Sequence, residues 1–169
     1  AGRSARYVAK AGARGDKIVR LMAVGAYGWV RKERSIEVWG LAGTGSSAWA
    51  PIGGAVYEIG LRDFRLCCAV PGGLFFVGHD NVAYLAAGGA PTPVSTPPVD
   101  QALSDGEPTD CFYYEDRGHR LCVIRFSGRP ALCLDVGMSR WHERAEGPDL
   151  GQWGATASAN CYGQWHLGG

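Results

Sequence analysis

The sequence predicts an all-β fold built from short antiparallel hairpins. Gly and Pro together supply 35 of the 169 residues, and they are spread along the whole chain. Each glycine inside a helix costs about 1 kcal/mol relative to alanine, so a helix bundle is excluded. Hydrophobic residues make up 46% of the chain, which excludes a low-complexity disordered segment. Strand-like segments recur every 8–12 residues with turn signals between them, as in a sandwich, barrel or propeller.

The first third of the chain predicts hairpins around two glycine-containing turns. Residues 25–28 form the first turn, and the loop at 43–47 is rich in glycine and serine. The segment 35–39 alternates apolar and polar residues, so Ile36 and Val38 are expected on one face of a strand. The strands expected in this third are 18–24, 29–30, 35–39, 49–52 and 55–59.

The middle third predicts three strands followed by a short helix. Residues 78–81 (Gly-His-Asp-Asn) suit a tight hairpin between the second and third of these strands. A proline-rich connection at 91–98 leads to a helix at 97–104, for which Thr96 is the expected cap. The spacing of Val99 and Leu103 places both on one side of that helix. The three strands are 66–70, 74–77 and 82–85.

The last third predicts further hairpins and ends within a strand. The turns are expected at 115–119 and 136–139, and residues 164–169 are expected to begin another strand. Tryptophans recur at intervals of ten and twelve residues, a weak sign of repeated hairpins. The strand pairs expected here are 111–114 with 120–126, 131–135 with 140–144, and 152–157 with 159–162.

Length, targeting signals and cysteines narrow the class of protein. The length fits one domain. No apolar run approaches the roughly 20 residues of a membrane span, and the first twenty residues lack the apolar core of a signal peptide. The six cysteines show no C-x-x-C spacing, so we expect reduced, buried thiols and no zinc site. We expect no cofactor.

Charge is distributed unevenly. Residues 1–34 hold nine basic and two acidic residues, whereas 35–169 hold eight basic and fourteen acidic ones. We expect a basic arm or linker at 1–17 and a folded domain at 18–169. The basic positions step by three or four residues, which would form one stripe on a helix that touches nucleic acid or an acidic protein surface. A solvated loop or strand with scattered charge is an equal alternative. The candidate contacts are Arg3, Arg6, Lys10, Arg14, Lys17 and Arg20.

Motifs of catalysis are absent from the sequence. The glycine-rich loop at 43–47 lacks the lysine of a phosphate-binding loop, and neither G-x-S-x-G nor H-E-x-x-H occurs. Cys111 and His119 are a weak candidate for a nucleophile–base pair. Glu115 and Asp116 lie in a predicted turn, where we expect both carboxylates to be solvated. We therefore expect that the protein is not an enzyme.

Several segments, taken in order, resemble the packaged-DNA stabilisation proteins of short-tailed bacteriophages, also called tail hub, head-closure or head-to-tail stopper proteins. The resemblance covers about residues 18–169 and corresponds to the C-terminal part of longer family members. Its most specific segments are Ser-Ile-Glu-Val-Trp and Trp-His-Glu-Arg. The motif residues are Ile36, Glu37, Val38 and Trp39, and Trp141, His142, Glu143 and Arg144.

The resemblance implies a β-propeller-like fold and a structural role in the virion. Members lie at the head–tail junction, below the portal and its adaptor ring, usually as a homo-hexamer. They retain packaged double-stranded DNA in the channel and serve as a platform for tail needle or tail fibre proteins. The resemblance implies assembly in the host cytoplasm, no catalytic residues and no membrane partner. Because the sequence ends inside a predicted strand, we expect this chain to be part of a larger propeller and to form an incomplete propeller by itself.

The sequence leaves several alternatives open. Trp39 and Trp141 are either anchors of a ring interface or residues of a blade core, the core being favoured. Glu37 and Arg144 are either an inter-strand pair or solvated charges.

The chain is alternatively a receptor- or glycan-binding β-domain of a tail fibre, with Trp49, Trp153 and Trp165 lining a groove. A hydrolase built on a propeller is a third class.

Overall fold

The computed structural model describes residues 15–41, 49–87 and 89–169, and within these ranges it is built almost entirely from antiparallel strands. The first four strands form one sheet in the order β1-β2-β3-β4. Their bounds are β1 Ile18–Val24, β2 Tyr27–Lys32, β3 Ile36–Leu41 and β4 Trp49–Tyr57. The glycine-rich loop at 43–47 lies outside the described residues.

The second sheet has the order β5-β6-β7-β8 and precedes the helix. The tight turn expected at 78–81 joins β6 to β7, with Asn81 in the left-handed region at φ 63°. The proline-rich connection contributes β8, which pairs with β7. The bounds are β5 Cys67–Val70, β6 Gly73–Val77, β7 Ala83–Ala87, β8 Thr92–Pro93 and α1 Pro97–Asp105.

The third sheet has the order β13-β12-β11-β10-β9, and a separate hairpin β14-β15 follows it. Both hairpins expected between 111 and 144 are present. The bounds are β9 Pro108–Asp116, β10 His119–Phe126, β11 Ala131–Asp135, β12 Arg140–Glu146, β13 Gly151–Gln152, β14 Ala157–Cys161 and β15 Gln164–Gly168.

Two predicted strand assignments are wrong. Segments 49–52 and 55–59 are not separate strands, because residues 49–57 form the continuous strand β4. The pairing of 152–157 with 159–162 is also wrong, since β13 pairs with β12 and β14 pairs with β15. The turn of this last hairpin is Tyr162-Gly163, with φ of 54° and 78°. Two consecutive residues with left-handed φ suit a two-residue hairpin turn. The hairpin therefore lies closer to the C-terminus than the predicted pair of strands.

The helix forms where the sequence predicts it, but its cap differs. Thr96 occupies the N-cap position, yet its side chain makes no capping hydrogen bond. A proline in the first turn has a fixed φ that suits the helix. Its missing N–H costs no hydrogen bond, because an N–H at this position has no partner inside the helix. Val99 and Leu103 are both buried, as their spacing predicts.

Successive sheets pack face to face in chain order, because the strands alternate their side chains between two cores. In β6, Phe76 enters the core between the first and second sheets, and Phe75 enters the core between the second and third. In β9, Tyr113 faces the second sheet, whereas Tyr114 faces a third core that includes Trp153. Antiparallel sheets stacked in this way are the arrangement of propeller blades, and the all-β, propeller-like prediction is confirmed.

Gly60 lies in the segment that links the first two sheets, and it allows this segment to approach the β2–β3 turn closely. A Cβ atom at this position would lie 1.9 Å from the backbone oxygen of Glu33. The backbone N–H of Gly60 donates to Nδ1 of His79 at 3.2 Å, and its carbonyl accepts from the His79 backbone N–H at 3.1 Å. Only glycine permits this contact between the link and the β2–β3 turn.

Candidate functional site

The Ser-Ile-Glu-Val-Trp segment lies on β3 and divides between two faces. Ile36 and Val38 enter the core against the second sheet, as their alternation predicts. Glu37 and Trp39 point to the opposite face, where both are also buried. The indole Nε1 of Trp39 donates to Oε2 of Glu37 at 3.4 Å.

Glu37 belongs to a buried ion pair with Lys32. Nζ of Lys32 lies 2.5 Å from Oε1 of Glu37, and both side chains are at most 2% exposed. Asp16 lies near the same ammonium, at 3.8 Å, and accepts hydrogen bonds from the Ser35 hydroxyl. Glu37 is buried and bonds within its own sheet. The predicted inter-strand pair with Arg144 is therefore wrong, and so is the alternative of a solvated Glu37.

An apolar groove of about 380 Å³ lies on the first sheet. Trp39 lines it while remaining only 8% exposed, and Leu21 lines it at 65% exposure. Most of the Trp39 surface is therefore in contact with its own chain, in agreement with the core interpretation. The lining residues are Ile18, Leu21, Met22, Ala23, Gly28, Trp29, Val30, Trp39 and Trp49.

The Trp-His-Glu-Arg segment lies on β12 and also divides between two faces. Trp141 packs on the core between the second and third sheets, with its ring 6.3 Å from that of Phe75. Its indole Nε1 donates to the carbonyl oxygen of Val94 at 2.8 Å. This bond ties β12 to the segment before α1, which is the role of a core residue.

On the other face of β12, His142 and Arg144 line a polar pocket of about 210 Å³. Nδ1 of His119 lies 2.6 Å from Oδ2 of Asp135 at the floor of this pocket. We call it the polar pocket, and its residues are Asp116, His119, Leu121, Asp135, His142 and Arg144.

Hydrogen bonds set the charge state of the polar pocket. Burial alone would raise the pKa of Asp135, but hydrogen bonds from His119 and from the backbone N–H groups of Met138 and Gly137 outweigh it and lower the pKa. Burial, together with the neighbouring Arg144 guanidinium, lowers the pKa of His142. At neutral pH the pocket therefore holds an ionised Asp135 and an uncharged His142.

The structure describes two of the six basic candidates for a partner or nucleic-acid contact. Lys17 is exposed and precedes β1, whereas Arg20 lies within β1, so no helix carries the stripe across these two positions. The Arg20 guanidinium donates to the carbonyl oxygen of Phe64 at 2.6 Å and to Sγ of Cys67 at 3.3 Å. Arg3, Arg6, Lys10 and Arg14 lie outside the described residues.

Sequence reasoning missed a buried cation, Arg31, on β2. It is fully buried in the core between the first two sheets, beside the Cys67 thiol, and no oxygen acceptor among the described residues bonds its guanidinium. It stands opposite Arg20 in the β1–β2 register. Burial lowers the pKa of Arg31. No local pattern marks this residue, because a strand arginine is ordinarily solvated.

The cysteine prediction holds for five residues and is wrong for one. Cys161 is exposed on β14, whereas the others are buried, and all six are free thiols. Cys111 pairs with Ile124 in the middle of the β9–β10 hairpin, while His119 lies at its turn and bonds Asp135. The two are therefore not a nucleophile–base pair. Within the described ranges, no group of three or more His, Cys, Asp or Glu side chains is placed to hold a metal ion.

The three tryptophans proposed for a glycan groove lie apart. Trp49 lines the apolar groove of the first sheet, and Trp165 lines a different groove beside β9. Trp153 packs in the third core, with its ring 6.0 Å from that of Phe112. They do not form a common aromatic surface.

Comparison with known families decides the identity of the fold. A family model described as bacteriophage P22 Gp10, β-propeller, matches residues 4–169. This chain belongs to that family. A search of curated proteins finds no match.

Membership makes this chain a phage structural protein of head–tail stabilisation and a component of the virion. The match begins at residue 4 and so includes most of the segment 1–17. Among the described residues, no helix is long and apolar enough to cross a membrane.

Proposed function

We propose that this chain closes the portal channel at the phage head–tail junction, retains packaged DNA and provides a platform for tail components. The observation that carries the proposal is the P22 Gp10 family match across residues 4–169. The proposed partners are portal and adaptor ring proteins, tail needle or tail fibre proteins, and double-stranded DNA in the channel. The proposed assembly is a homo-hexamer formed in the host cytoplasm.

The packing of the sheets supports a mechanical role. A plug under DNA pressure must resist deformation, and close-packed interiors have low compressibility. Successive sheets of this chain share continuous cores, in which Phe75, Phe76 and Ile124 are fully buried. The indole hydrogen bond from Trp141 to Val94 adds a polar tie between β12 and the segment before α1.

The charge asymmetry supports two kinds of contact. An acidic surface lets DNA pass through a channel without adhering, because like charges repel. The basic residues of 1–34 suit an acidic adaptor surface or DNA phosphates. Since the Arg20 guanidinium is held by Phe64 and Cys67, Lys17 and the four basic residues before it are the stronger candidates for this contact.

An assembly experiment tests the proposal. The molar mass of the purified chain is measured by light scattering over a range of concentrations, alone and with purified portal and adaptor rings. We expect ring-shaped homo-oligomers that bind those rings. A monodisperse monomer at high concentration that binds neither ring would overturn the proposal.

A matched pair of variants tests the basic contact. Lys17→Gln removes an exposed cation before β1, and Arg117→Gln removes an exposed cation in the β9–β10 turn. We expect Lys17→Gln alone to weaken ring or DNA binding and to lower its salt dependence, because each phosphate contact contributes to the slope. Equal effects of the two variants would argue for a general charge effect and against a basic arm.

A further inference from the structure

We propose that a groove between the three sheets binds a carboxylate carried on an apolar body, with Arg20 as the contacting cation. The groove has a volume of about 340 Å³ and lies where β1, β5, β9 and the β14–β15 hairpin meet. Strands of successive sheets that meet in this way line the central channel of a propeller. Such binding depends on contacts of these strands and would stand without the head–tail assignment. We call this the strand-junction groove, and its lining includes Arg20, Met22, Cys67, Ala69, Phe112 and Trp165.

Arg20 has a free hydrogen-bonding edge in this groove. Among the described residues that line the groove, it is the one that carries a charge, and it is partly exposed. Nη1 donates to the carbonyl oxygen of Phe64 at 2.6 Å and to Sγ of Cys67 at 3.3 Å, whereas Nε and Nη2 donate to no described residue. The contacts of Nη1 fix the guanidinium plane. The parallel N–H groups of the Nε–Nη2 edge match the two oxygens of a carboxylate.

A second positive charge lies behind Arg20. Arg31 stands opposite Arg20 in the β1–β2 register, is fully buried, and has no oxygen acceptor among the described residues. The Cys67 thiol beside it supplies no negative charge, because its S–H donates to the Phe64 carbonyl oxygen at 3.3 Å and burial raises its pKa. An anion on Arg20 would not touch Arg31. It would lower the electrostatic cost of that buried charge through space, since Coulomb interactions are stronger away from water.

The described residues place no acid in the wall of the groove. The acids nearest in sequence to the lining residues each accept a hydrogen bond from another side chain. They are Asp16 with Ser35, Asp63 with Arg65, Asp110 with Arg125, and Glu115 with Tyr113. An incoming anion therefore meets the charges of Arg20 and Arg31 without a carboxylate beside them in the groove wall.

The walls of the groove favour an apolar body behind the carboxylate. Met22, Phe112 and Trp165 line it. The Ser158 hydroxyl is already engaged, since it donates to the Tyr113 carbonyl oxygen at 2.5 Å. A phosphate would therefore leave charged oxygens against apolar walls without donors, which is costly. A carboxylate uses both oxygens on the guanidinium edge and places an aliphatic or aromatic group on those walls.

Fluorine NMR tests the proposal. The full chain is labelled with 5-fluorotryptophan, and the Trp165 signal is assigned by Trp165→Phe. The acid 3-phenylpropionate is added at constant ionic strength up to about 20 mM, since one ion pair with one ring contact is weak. N-acetylphenylalanine, which carries the carboxylate of a polypeptide C-terminus, forms a second arm. We expect a saturable shift of the Trp165 signal with both acids, and the tighter of the two identifies a free acid or a chain terminus as the ligand.

Neutral and inorganic controls isolate the charge of the ligand. The amide 3-phenylpropionamide has the shape of the first acid without its charge. It should bind at least about tenfold more weakly, because it loses a charge-assisted hydrogen bond. Inorganic phosphate should give no saturable shift. Equal affinity for the acid and the amide, tighter binding of phosphate, or absence of a saturable Trp165 shift would overturn the proposal.

Variants locate the site. Arg20→Gln should weaken the binding of 3-phenylpropionate at least about tenfold. Arg117→Gln, whose side chain is 92% exposed in the β9–β10 turn, should leave it unchanged. If Arg20→Gln fails to fold, the exposed groove residue Ala69 gives a second test. Ala69→Glu should bind the acid at least about tenfold more weakly than Ala69→Gln, because only the glutamate places a negative charge in the wall. Equal affinities of the two Ala69 variants, or an equal loss in Arg117→Gln, would overturn the proposal.

Discussion

Nζ of Lys32 lies 2.5 Å from Oε1 of Glu37 in the interior of the first sheet, and neither side chain is more than 2% exposed. Removal of one partner leaves a buried charge, which costs about 3–5 kcal/mol. Glu37→Gln should therefore lower the free energy of unfolding by several kcal/mol, measured by urea denaturation. The double variant Lys32→Met, Glu37→Met should be more stable than Glu37→Gln. Equal stability of Glu37→Gln and the unmodified chain would contradict the pair.

Gly60→Ala should destabilise the protein strongly. The added Cβ would lie 1.9 Å from the Glu33 backbone oxygen, so the link between the first two sheets must move. Overpacking of this kind costs about 1–3 kcal/mol or more. Gly53→Ala is the matched control, since no atom lies within 4 Å of its added Cβ. Thermal melts should show a large loss only for Gly60→Ala, and similar melts of the two variants would count against the close contact.

Arg31→Met should stabilise the isolated chain. Arg31 is fully buried, and among the described residues its guanidinium is next to the Cys67 thiol, a weak acceptor, and bonds no oxygen, so a flexible apolar side chain removes a desolvation cost. Replacement of buried charges by apolar side chains stabilises by about 1–4 kcal/mol in favourable cases. Arg125→Met is the control and should destabilise, because Arg125 bonds Asp110 at 3.0 Å. A loss of stability in Arg31→Met, read from urea midpoints, would show that the contact of the guanidinium with Cys67 outweighs the cost of its burial.

A thiol reagent should modify one cysteine in the native protein. Cys161 is exposed, whereas the other five are buried. Burial raises the pKa of Cys133 to about 11, so little of the reactive thiolate forms at neutral pH. Titration with a chromogenic disulfide should give one rapid equivalent per chain, and Cys161→Ser should abolish it. Several rapid equivalents without denaturant would contradict the burial of the sheet cysteines.

Asp135→Asn should destabilise the protein in a pH-dependent way. The folded pKa of Asp135 is lowered, so its stabilising effect is present above the unfolded value of about 3.9 and is lost as pH falls through the folded pKa. Urea denaturation at pH 7 should show a loss of about 1–3 kcal/mol that shrinks under more acidic conditions. Asp149→Asn, on an exposed turn, should show no such difference. A constant loss at every pH would assign the effect to packing alone.

The local sequence pattern is sufficient to predict most of the hairpins. Strand 18–24 has the predicted bounds, and the turns at 78–81, 115–119 and 136–139 lie between paired strands. Each depends on neighbours in sequence, through alternation and turn-forming residues. The hairpin after residue 150 is not predictable from local pattern, because its turn, Tyr162-Gly163, places a tyrosine in a left-handed conformation that this residue type does not favour.

The candidate site was predictable only in its residue types. The sequence places Trp141 and His142 in one motif, but β12 directs them to opposite faces and to different environments. His119 and Asp135 are 16 residues apart, and their contact depends on the β10–β11 register. The sequence favours a solvated Glu37, because burial of a charge requires a partner and the sequence does not identify Lys32 as that partner.

Electron cryomicroscopy of the intact virion tests the central claim most directly, because position along the head–tail axis defines the role. The account predicts density that fits the stacked sheets of this chain in a six-fold ring directly below the portal and its adaptor, around the DNA channel. Density for this chain only at the tips of tail fibres, or none on the head–tail axis, would contradict it.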